Sequence, residues 1–108
     1  MLFVETKKFT EQITDLVSDE TYREFQNELV LHPNKGDMMP GCGGVRKVRM
    51  AAKGKGTSGG ARVIYLHIPN RDRIYLLYLF TKGTAANLSA EGKKAVREIA
   101  QAIKIHLQ

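Results

Sequence analysis

Cysteine is scarce in this sequence, which contains a single thiol, Cys42, among 108 residues. One thiol can neither close an intramolecular disulfide nor share a metal ion with a second thiol, so we interpret Cys42 as a bystander in a glycine-rich turn. No apolar run approaches the ~18 residues that a membrane-spanning helix needs, and the N-terminus, MLFVETKKF, lacks the order of a secretory signal. These absences predict a soluble protein of a reducing, cytoplasmic compartment, with no membrane partner.

Motifs with the spacing of a known catalytic or cofactor site are also lacking. GKGT at 54–57 does not have the G-x-x-x-x-G-K-[ST] spacing of a phosphate-binding loop, and no strand, loop and helix follow in that order. His32, His67 and His106 stand at no metal-ligand spacing. Ser58 has no histidine and acid placed by a motif, so a hydrolase triad has no support. We therefore predict neither a metal nor a cofactor.

Positive charge, by contrast, is abundant and concentrated in the middle of the chain. Residues 1–34 hold three Lys/Arg against seven Asp/Glu, a balance of −4; residues 35–82 hold ten against two, +8; residues 83–108 hold four against two, +2. Such segregation predicts a basic face for a polyanion, with nucleic acid as the leading candidate. The alternative is a solvated surface on which lysines maintain solubility.

Hydrophobic periodicity predicts one domain, residues 1–108, of the α+β class with the order β-α-α-β-β-β-α and a mainly antiparallel sheet packed against helices. The predicted strands cover 2–6, 45–51, 61–69 and 73–81, and the predicted helices cover 8–17, 19–31 and a C-terminal segment that starts at Ser89. Ser18 and Ser89 are the expected N-caps of the second and third helices. The strands at 61–69 and 73–81 are apolar on successive residues, so we expect them in the centre of the sheet.

Apolar spacing also predicts which helix positions face the core. In the second helix these are Tyr22, Phe25, Leu29 and Val30, and in the third they are Val96, Ile99, Ile103 and Leu107.

A set of cations occupies the predicted strands and the glycine-rich stretch AAKGKGTSGG. Alternation in VRKVRMA places Lys47 and Arg49 on one face of their strand and Arg46 on the other. Glycines let a backbone bend sharply and expose its amides, so this stretch is suited to follow phosphates. A hairpin with lysines for solubility is the alternative. The cations of this set are Arg46, Lys47, Arg49, Lys53, Lys55, Arg62 and Lys82.

Two segments, GCGGVRKVRMAAKGKGTSGGARVIYL and RIYLLYLFTKGTAANLSAEGKKAV, together with the order of elements, resemble the RelE superfamily of toxins from bacterial toxin–antitoxin pairs. The resemblance is strongest to its HigB branch and extends from Phe3 to Ile103. It combines a GxRKxR strand, a KGKGxxGGxR loop, and an aromatic strand that ends in Lys-Gly before an NLS helix start.

The resemblance implies a small cytoplasmic ribonuclease that enters the ribosomal A site, cuts messenger RNA and stops translation. It also implies a cognate antitoxin, in the HigB branch usually one with a helix-turn-helix DNA-binding domain, and a toxin–antitoxin oligomer that binds operator DNA.

Cleavage of this kind, with the 2′-hydroxyl of the RNA as nucleophile, needs cations around the reacting phosphate. The resemblance implies catalytic roles for Arg62, Arg49 and Lys82. It implies RNA-binding roles for Arg46, Lys47, Lys53, Lys55 and Tyr65. Tyr65 and Tyr78 are candidates for stacking on a base, and a core position is the alternative for both. Related enzymes often carry a tyrosine or histidine near the C-terminus; after Lys82 this chain has only His106, so no general acid or base is assigned.

Two other functions remain open. ParE toxins share the scaffold but inhibit DNA gyrase, and a non-catalytic RNA- or ribosome-binding module needs only the basic surface. The dense cation set favours the nuclease over the gyrase inhibitor.

Overall fold

The computed structural model describes residues 1–50, 60–81 and 89–107, which form three helices and a five-stranded sheet. The strands are β1 (Leu2–Glu5), β2 (Asp37–Met38), β3 (Arg46–Met50), β4 (Ala61–Ile68) and β5 (Arg73–Thr81), and the helices are α1 (Lys7–Leu16), α2 (Asp19–Leu31) and α3 (Ala90–His106). The strand order is β1-β5-β4-β3-β2, and only the β1–β5 pair is parallel. The α+β prediction is confirmed. Within the described ranges no helix is long and apolar enough to cross a bilayer.

All three helices begin at a hydroxyl side chain that accepts a hydrogen bond from the first turn. The Ser18 and Ser89 hydroxyls accept from the backbone N–H of Thr21 and Gly92, as predicted. α1 starts in the same way at Thr6, where the sequence predicted no cap. Each such cap stabilises its helix by about 1 kcal/mol, so the helix starts follow largely from local chemistry.

Helices cover both faces of the sheet, giving two apolar layers. α1 and α2 pack on one face, where the core includes Phe9, Ile13, Phe25, Leu29, Val48, Met50, Val63 and Tyr65. α3 covers the other face, where the core includes Met39, Val45, Ile64, Leu66, Leu77, Phe80, Val96 and Ala100. The predicted core positions Val30 and Ile99 are wrong, since they are 47% and 39% exposed. Each lies at the margin of its apolar stripe, and the small Ala100 is fully buried in the α3 layer.

A bulge in β5 determines which of its side chains reach the α3 face. Ile64 pairs with Tyr78, but the next residue, Tyr65, pairs with Leu76, so Leu77 is the extra residue. The alternation of β5 side chains between the two faces of the sheet therefore shifts by one residue at Leu77. Leu77 and Tyr78 both project toward the α3 layer, although they are adjacent in sequence.

The backbone groups beside this bulge are satisfied from the first helix. The Thr6 hydroxyl donates to the Leu77 carbonyl at 2.7 Å, and the Leu79 N–H donates to the Gln12 Oε1 at 2.9 Å. Because β1 pairs with β5 only up to Leu76, these side chains replace a neighbouring strand from there on.

Two features of the connections, the strand β2 and the conformation of the β4–β5 turn, were not predicted from the sequence. β2 is a two-residue edge strand paired with Lys47 and Arg46 of β3, reached through a turn at 33–36. Between β4 and β5 the chain makes a 3-10 turn, Pro69–Arg71, and Asp72 then adopts a left-handed conformation with φ of 52°. The Asp72 carboxylate forms an ion pair with the N-terminal ammonium at 3.1 Å.

Candidate nucleic-acid interface

Three of the predicted cations share the face of the sheet that α3 partly covers. Arg49 of β3 lies opposite Arg62 of β4, and Arg62 lies opposite Phe80 of β5. Directly opposed residues project to the same face of an antiparallel sheet, so these three side chains form one row. The next row along the strands contains Lys47, Ile64 and Tyr78 in the same way.

Arg62 is the most constrained member of this face. Its Nη1 has essentially no accessible surface and no hydrogen-bond partner among the described residues. A buried guanidinium nitrogen without an acceptor is costly, by about 1–3 kcal/mol or more. Arg49 lies directly opposite Arg62 on β3 and also lines a cavity with Glu24 and Glu28 of α2. A bound anion would remove the cost at Arg62, because it supplies acceptor oxygens and opposite charge together.

A cavity of about 160 Å³ lies beside the row of Lys47. Ile64 and Phe80 from the central strands line it, and Lys93 reaches it from the first turn of α3. The sequence did not point to Lys93, because this residue is far from the 46–62 segment along the chain and only the fold brings it to the same face. The α3 helix thus adds a cation to the set on β3 and β4.

Arg46 does not belong to this face, as the alternation of β3 predicted. Its guanidinium donates to the carbonyl oxygens of Gly36 at 2.7 Å and of Asn34 at 3.3 Å. Arg46 therefore stabilises the turn before β2. For this reason its predicted role in RNA binding is corrected to a structural role. The physical reason is the period of two along a strand, which separates neighbouring side chains by the thickness of the sheet.

Tyr65 is likewise a core residue. It is 0% exposed and packs in the layer under α1 and α2. Its hydroxyl donates to the Pro33 carbonyl at 2.9 Å and accepts from the Gly36 N–H at 3.0 Å, and burial raises its pKa. A ring with no exposed face cannot stack on a base, so the assignment of Tyr65 to RNA binding is wrong.

Tyr78 is the aromatic side chain that the structure leaves accessible beside the cations. It is partly exposed and lies in the row of Lys47. Its ring centroid is 6.1 Å from that of Phe80, with the planes tilted by 40°. The bulge at Leu77 brings both rings to the face of Arg62, and a partly exposed ring next to guanidinium groups suits a stacked base.

The remaining predicted site residues, Lys53, Lys55 and Lys82, lie outside the described residues. The described cations of the site are thus Lys47, Arg49, Arg62 and Lys93. On the opposite side of the sheet α2 exposes carboxylates, namely Asp19, Glu20, Glu24 and Glu28. Across the described ranges, no three His, Cys, Asp or Glu side chains are grouped as a metal site would require.

Comparison with known proteins agrees with this architecture. The structure is similar to the crystal structure of the isolated E. coli RelE toxin, with a TM-score of 0.59 and 17% sequence identity over 91% of this chain and 97% of that chain. At this identity the similarity supports the fold. The family model of the RelE toxin of the RelE/RelB toxin–antitoxin system matches residues 6–107, which is nearly the entire sequence. The chain therefore belongs to the RelE family of toxins from toxin–antitoxin systems.

Proposed function

We propose that this protein is a ribosome-dependent messenger RNA endoribonuclease of the HigB-like branch, which inhibits translation in the cytoplasm. The observation that carries the proposal is the buried Nη1 of Arg62, which has no hydrogen-bond partner among the described residues and lies between Arg49 and the aromatic pair of Tyr78 and Phe80. A protein that only presented basic charge to a polyanion would have no reason to bury a guanidinium nitrogen without an acceptor.

The proposed reaction uses the 2′-hydroxyl of the RNA as nucleophile. The 2′-oxygen bonds to the adjacent phosphorus and gives up its proton, while the bond from phosphorus to the 5′-oxygen of the next nucleotide breaks and that oxygen takes a proton. The products are a 2′,3′-cyclic phosphate and a 5′-hydroxyl. Arg62 and Arg49 donate to the non-bridging oxygens, where negative charge grows in the transition state. Each well-placed donor contributes on the order of 3 kcal/mol.

The reaction also requires the 2′-oxygen, the phosphorus and the leaving 5′-oxygen to lie in line. Contacts to parts of the nucleotide other than the phosphate have to hold them there. Tyr78 supplies a stacking surface, and Lys47 with Lys93 attracts the neighbouring backbone. We assign Lys82 to the reacting phosphate and Lys53 and Lys55 to RNA binding, as further parts of the proposal. The described residues on this face offer no carboxylate or histidine next to Arg62, so the ribosome is proposed to complete the orientation of the message.

The proposed partners are the ribosomal A site with its messenger RNA and a cognate antitoxin of the helix-turn-helix type. The toxin–antitoxin complex is proposed to be an oligomer that binds operator DNA. Membership of a toxin–antitoxin family supports the antitoxin, and the basic face supports the nucleic acid.

Induction in cells followed by mapping of messenger RNA 5′ ends tests the proposal against its rivals. Cuts in phase with codons support the nuclease. Intact messages with DNA damage would instead indicate a ParE-like gyrase inhibitor. Intact messages with arrested translation would indicate a binding module without catalysis.

A further inference from the structure

The cavity beside the row of Lys47 is lined by a carboxylate that phosphate binding does not require. Asp37 of β2 lines it together with Lys47 and Lys93, and Met39, Ile64 and Phe80 give it apolar walls. Its volume of about 160 Å³ is far above the ~10–15 Å³ needed for one water molecule. Asp37 is exposed, and its carboxylate has no hydrogen bond or ion pair to any described residue. Ligand sites combine apolar walls with a small number of placed polar groups, and this cavity has both.

The cavity stands at the distance from Arg62 that separates a base from its phosphate. Ile64 follows Arg62 by two residues on the same face of β4, which places them about 7 Å apart along the strand. Asp37 pairs with Lys47, and Lys47 pairs with Ile64, so Asp37 lies in the same row at the edge of the sheet. A nucleotide whose phosphate contacts Arg62 has room to place its base over Ile64, with Asp37 two strands away at the edge of the sheet.

A carboxylate selects among bases because, when ionised, it accepts hydrogen bonds and donates none. Adenine, cytosine and guanine each carry an exocyclic amino group that can donate to it. Uracil has carbonyl oxygens at the corresponding positions, and these repel a carboxylate; its one donor on that edge, the ring N3–H, stands between them. In the reading of base pairs, acidic side chains pair with the amino group of cytosine for the same reason.

We propose that this cavity binds the base of the nucleotide whose phosphate Arg62 contacts, and that Asp37 makes the site prefer a base with an exocyclic amino group over uracil. This inference rests on the proposed function for its substrate. Asp37 is then a specificity-determining residue and takes no part in bond breaking.

The first test compares cut positions for the wild type, Asp37→Ala, and Asp15→Ala. Asp15 is an exposed residue of α1 on the opposite side of the sheet, so its replacement removes the same charge away from the cavity. We expect the Asp37→Ala protein to cut at uracil-containing positions about five- to tenfold more often relative to the other bases. The Asp15→Ala protein should keep the wild-type distribution. An equal change in rate at all four bases would overturn the assignment, because Asp37 would then act only through charge.

The second test does not depend on cleavage. Purified protein is titrated with adenosine, cytidine and uridine 3′-monophosphates, and the backbone amide signals of Ile64 and Phe80 are followed by NMR. We expect the adenosine and cytidine nucleotides to bind about fivefold or more tightly than the uridine nucleotide, and Asp37→Ala to abolish that difference. Equal affinities for the wild type, or no response at Ile64 to any of the three, would overturn the inference. If messages stay intact but this preference is found, the proposed function fails and the base site stands.

Discussion

Two arginines on neighbouring strands, Arg46 and Arg62, differ in what their guanidinium groups contact. The guanidinium of Arg46 donates to the carbonyls of Asn34 and Gly36, whereas Arg62 keeps a buried nitrogen without a partner among the described residues. The first arrangement stabilises the fold. In the second arrangement, the Nη1 of Arg62 can still donate to an anion, and a site that stabilises transition-state charge requires such a donor.

Replacing each arginine by alanine should therefore have opposite effects. Arg62→Ala should abolish growth arrest on induction and leave the thermal unfolding midpoint unchanged or higher, since a cation is removed from a repulsive cluster. Arg46→Ala should lower the free energy of unfolding by about 1–3 kcal/mol, because it deletes charge-assisted hydrogen bonds. Growth assays and thermal melts of both purified variants measure this. If the Arg62→Ala protein still arrests growth, the site lies elsewhere. If it does not fold, the role of Arg62 is structural.

The thermal stability of the protein should depend on pH because of His67. Burial lowers its pKa below the ordinary value of 6.5; the Asp72 carboxylate opposes that shift and the Arg46 charge adds to it. At pH values between the lowered pKa and 6.5, the unfolded chain binds more protons than the folded one. The stability that comes from a neutral His67 is therefore complete above pH 6.5 and is lost as the pH falls through that window. Wild type should therefore lose more thermal stability than His67→Gln between about pH 7.5 and about pH 5. Parallel losses would contradict this.

The turn between α2 and β2 is the element that carries the edge of the candidate site. Tyr65 from β4 and Arg46 from β3 hold its backbone at Pro33, Asn34 and Gly36. Gly36 is buried, and a Cβ there would lie 2.7 Å from the Lys47 carbonyl oxygen and 3.1 Å from the Tyr65 ring. The turn thus fits against β3 so closely that only a glycine is accommodated.

Gly36→Ala should consequently destabilise the protein by about 1–3 kcal/mol, because the contacting atoms are mainly backbone and cannot move aside. Gly41→Ala is a matched control, since its Cβ would meet no atom within 4 Å and is strained only by a φ of 71°. Its cost should be about 1 kcal/mol. Urea unfolding of both variants measures the difference. Equal losses would show that the contact with β3 is not what constrains Gly36.

Over the whole molecule, charge of opposite sign lies on the two sides of the sheet. α2 exposes Asp19, Glu20, Glu24 and Glu28, while β3, β4 and α3 present the cations of the candidate interface. A polyanion is thus attracted to one side and repelled by the other, which orients the protein as it approaches nucleic acid.

An antitoxin has two ways to neutralise such a molecule. We expect it either to be acidic where it touches the cations at 46–62 or to cover the acidic helical side at 9–31 and block entry to the ribosome sterically. Hydrogen exchange of the purified complex against the free toxin locates the contact. Protection that leaves both surfaces free would contradict this expectation.

Local signals in the sequence predicted most of the fold, whereas the site depends on contacts that such signals do not encode. Ser18 and Ser89 cap their helices because the capping chemistry is local. The bulge at Leu77 and the edge strand β2 follow from pairing between distant segments, so periodicity along one strand could not show them. Arg46 was placed correctly by alternation.

The aromatic residue of the site was misassigned for the same reason. Tyr65 and Tyr78 stand in equally apolar strands, and only the three-dimensional packing shows that Tyr65 is fully buried and that Tyr78 is partly exposed. Lys93 and Asp37 reach the cavity from outside the 46–62 segment, a juxtaposition created by the fold.

The most direct test of the central claim is cleavage of a defined message by purified protein, with and without ribosomes stalled on it. Wild-type protein should cut the message in the A-site codon and leave naked RNA largely intact at the same concentration. Arg62→Ala should cut about 10²-fold more slowly or not at all, while Lys94→Ala, which removes an exposed cation of α3, should cut at nearly the wild-type rate. Equal cleavage rates for wild type and Arg62→Ala would contradict the account.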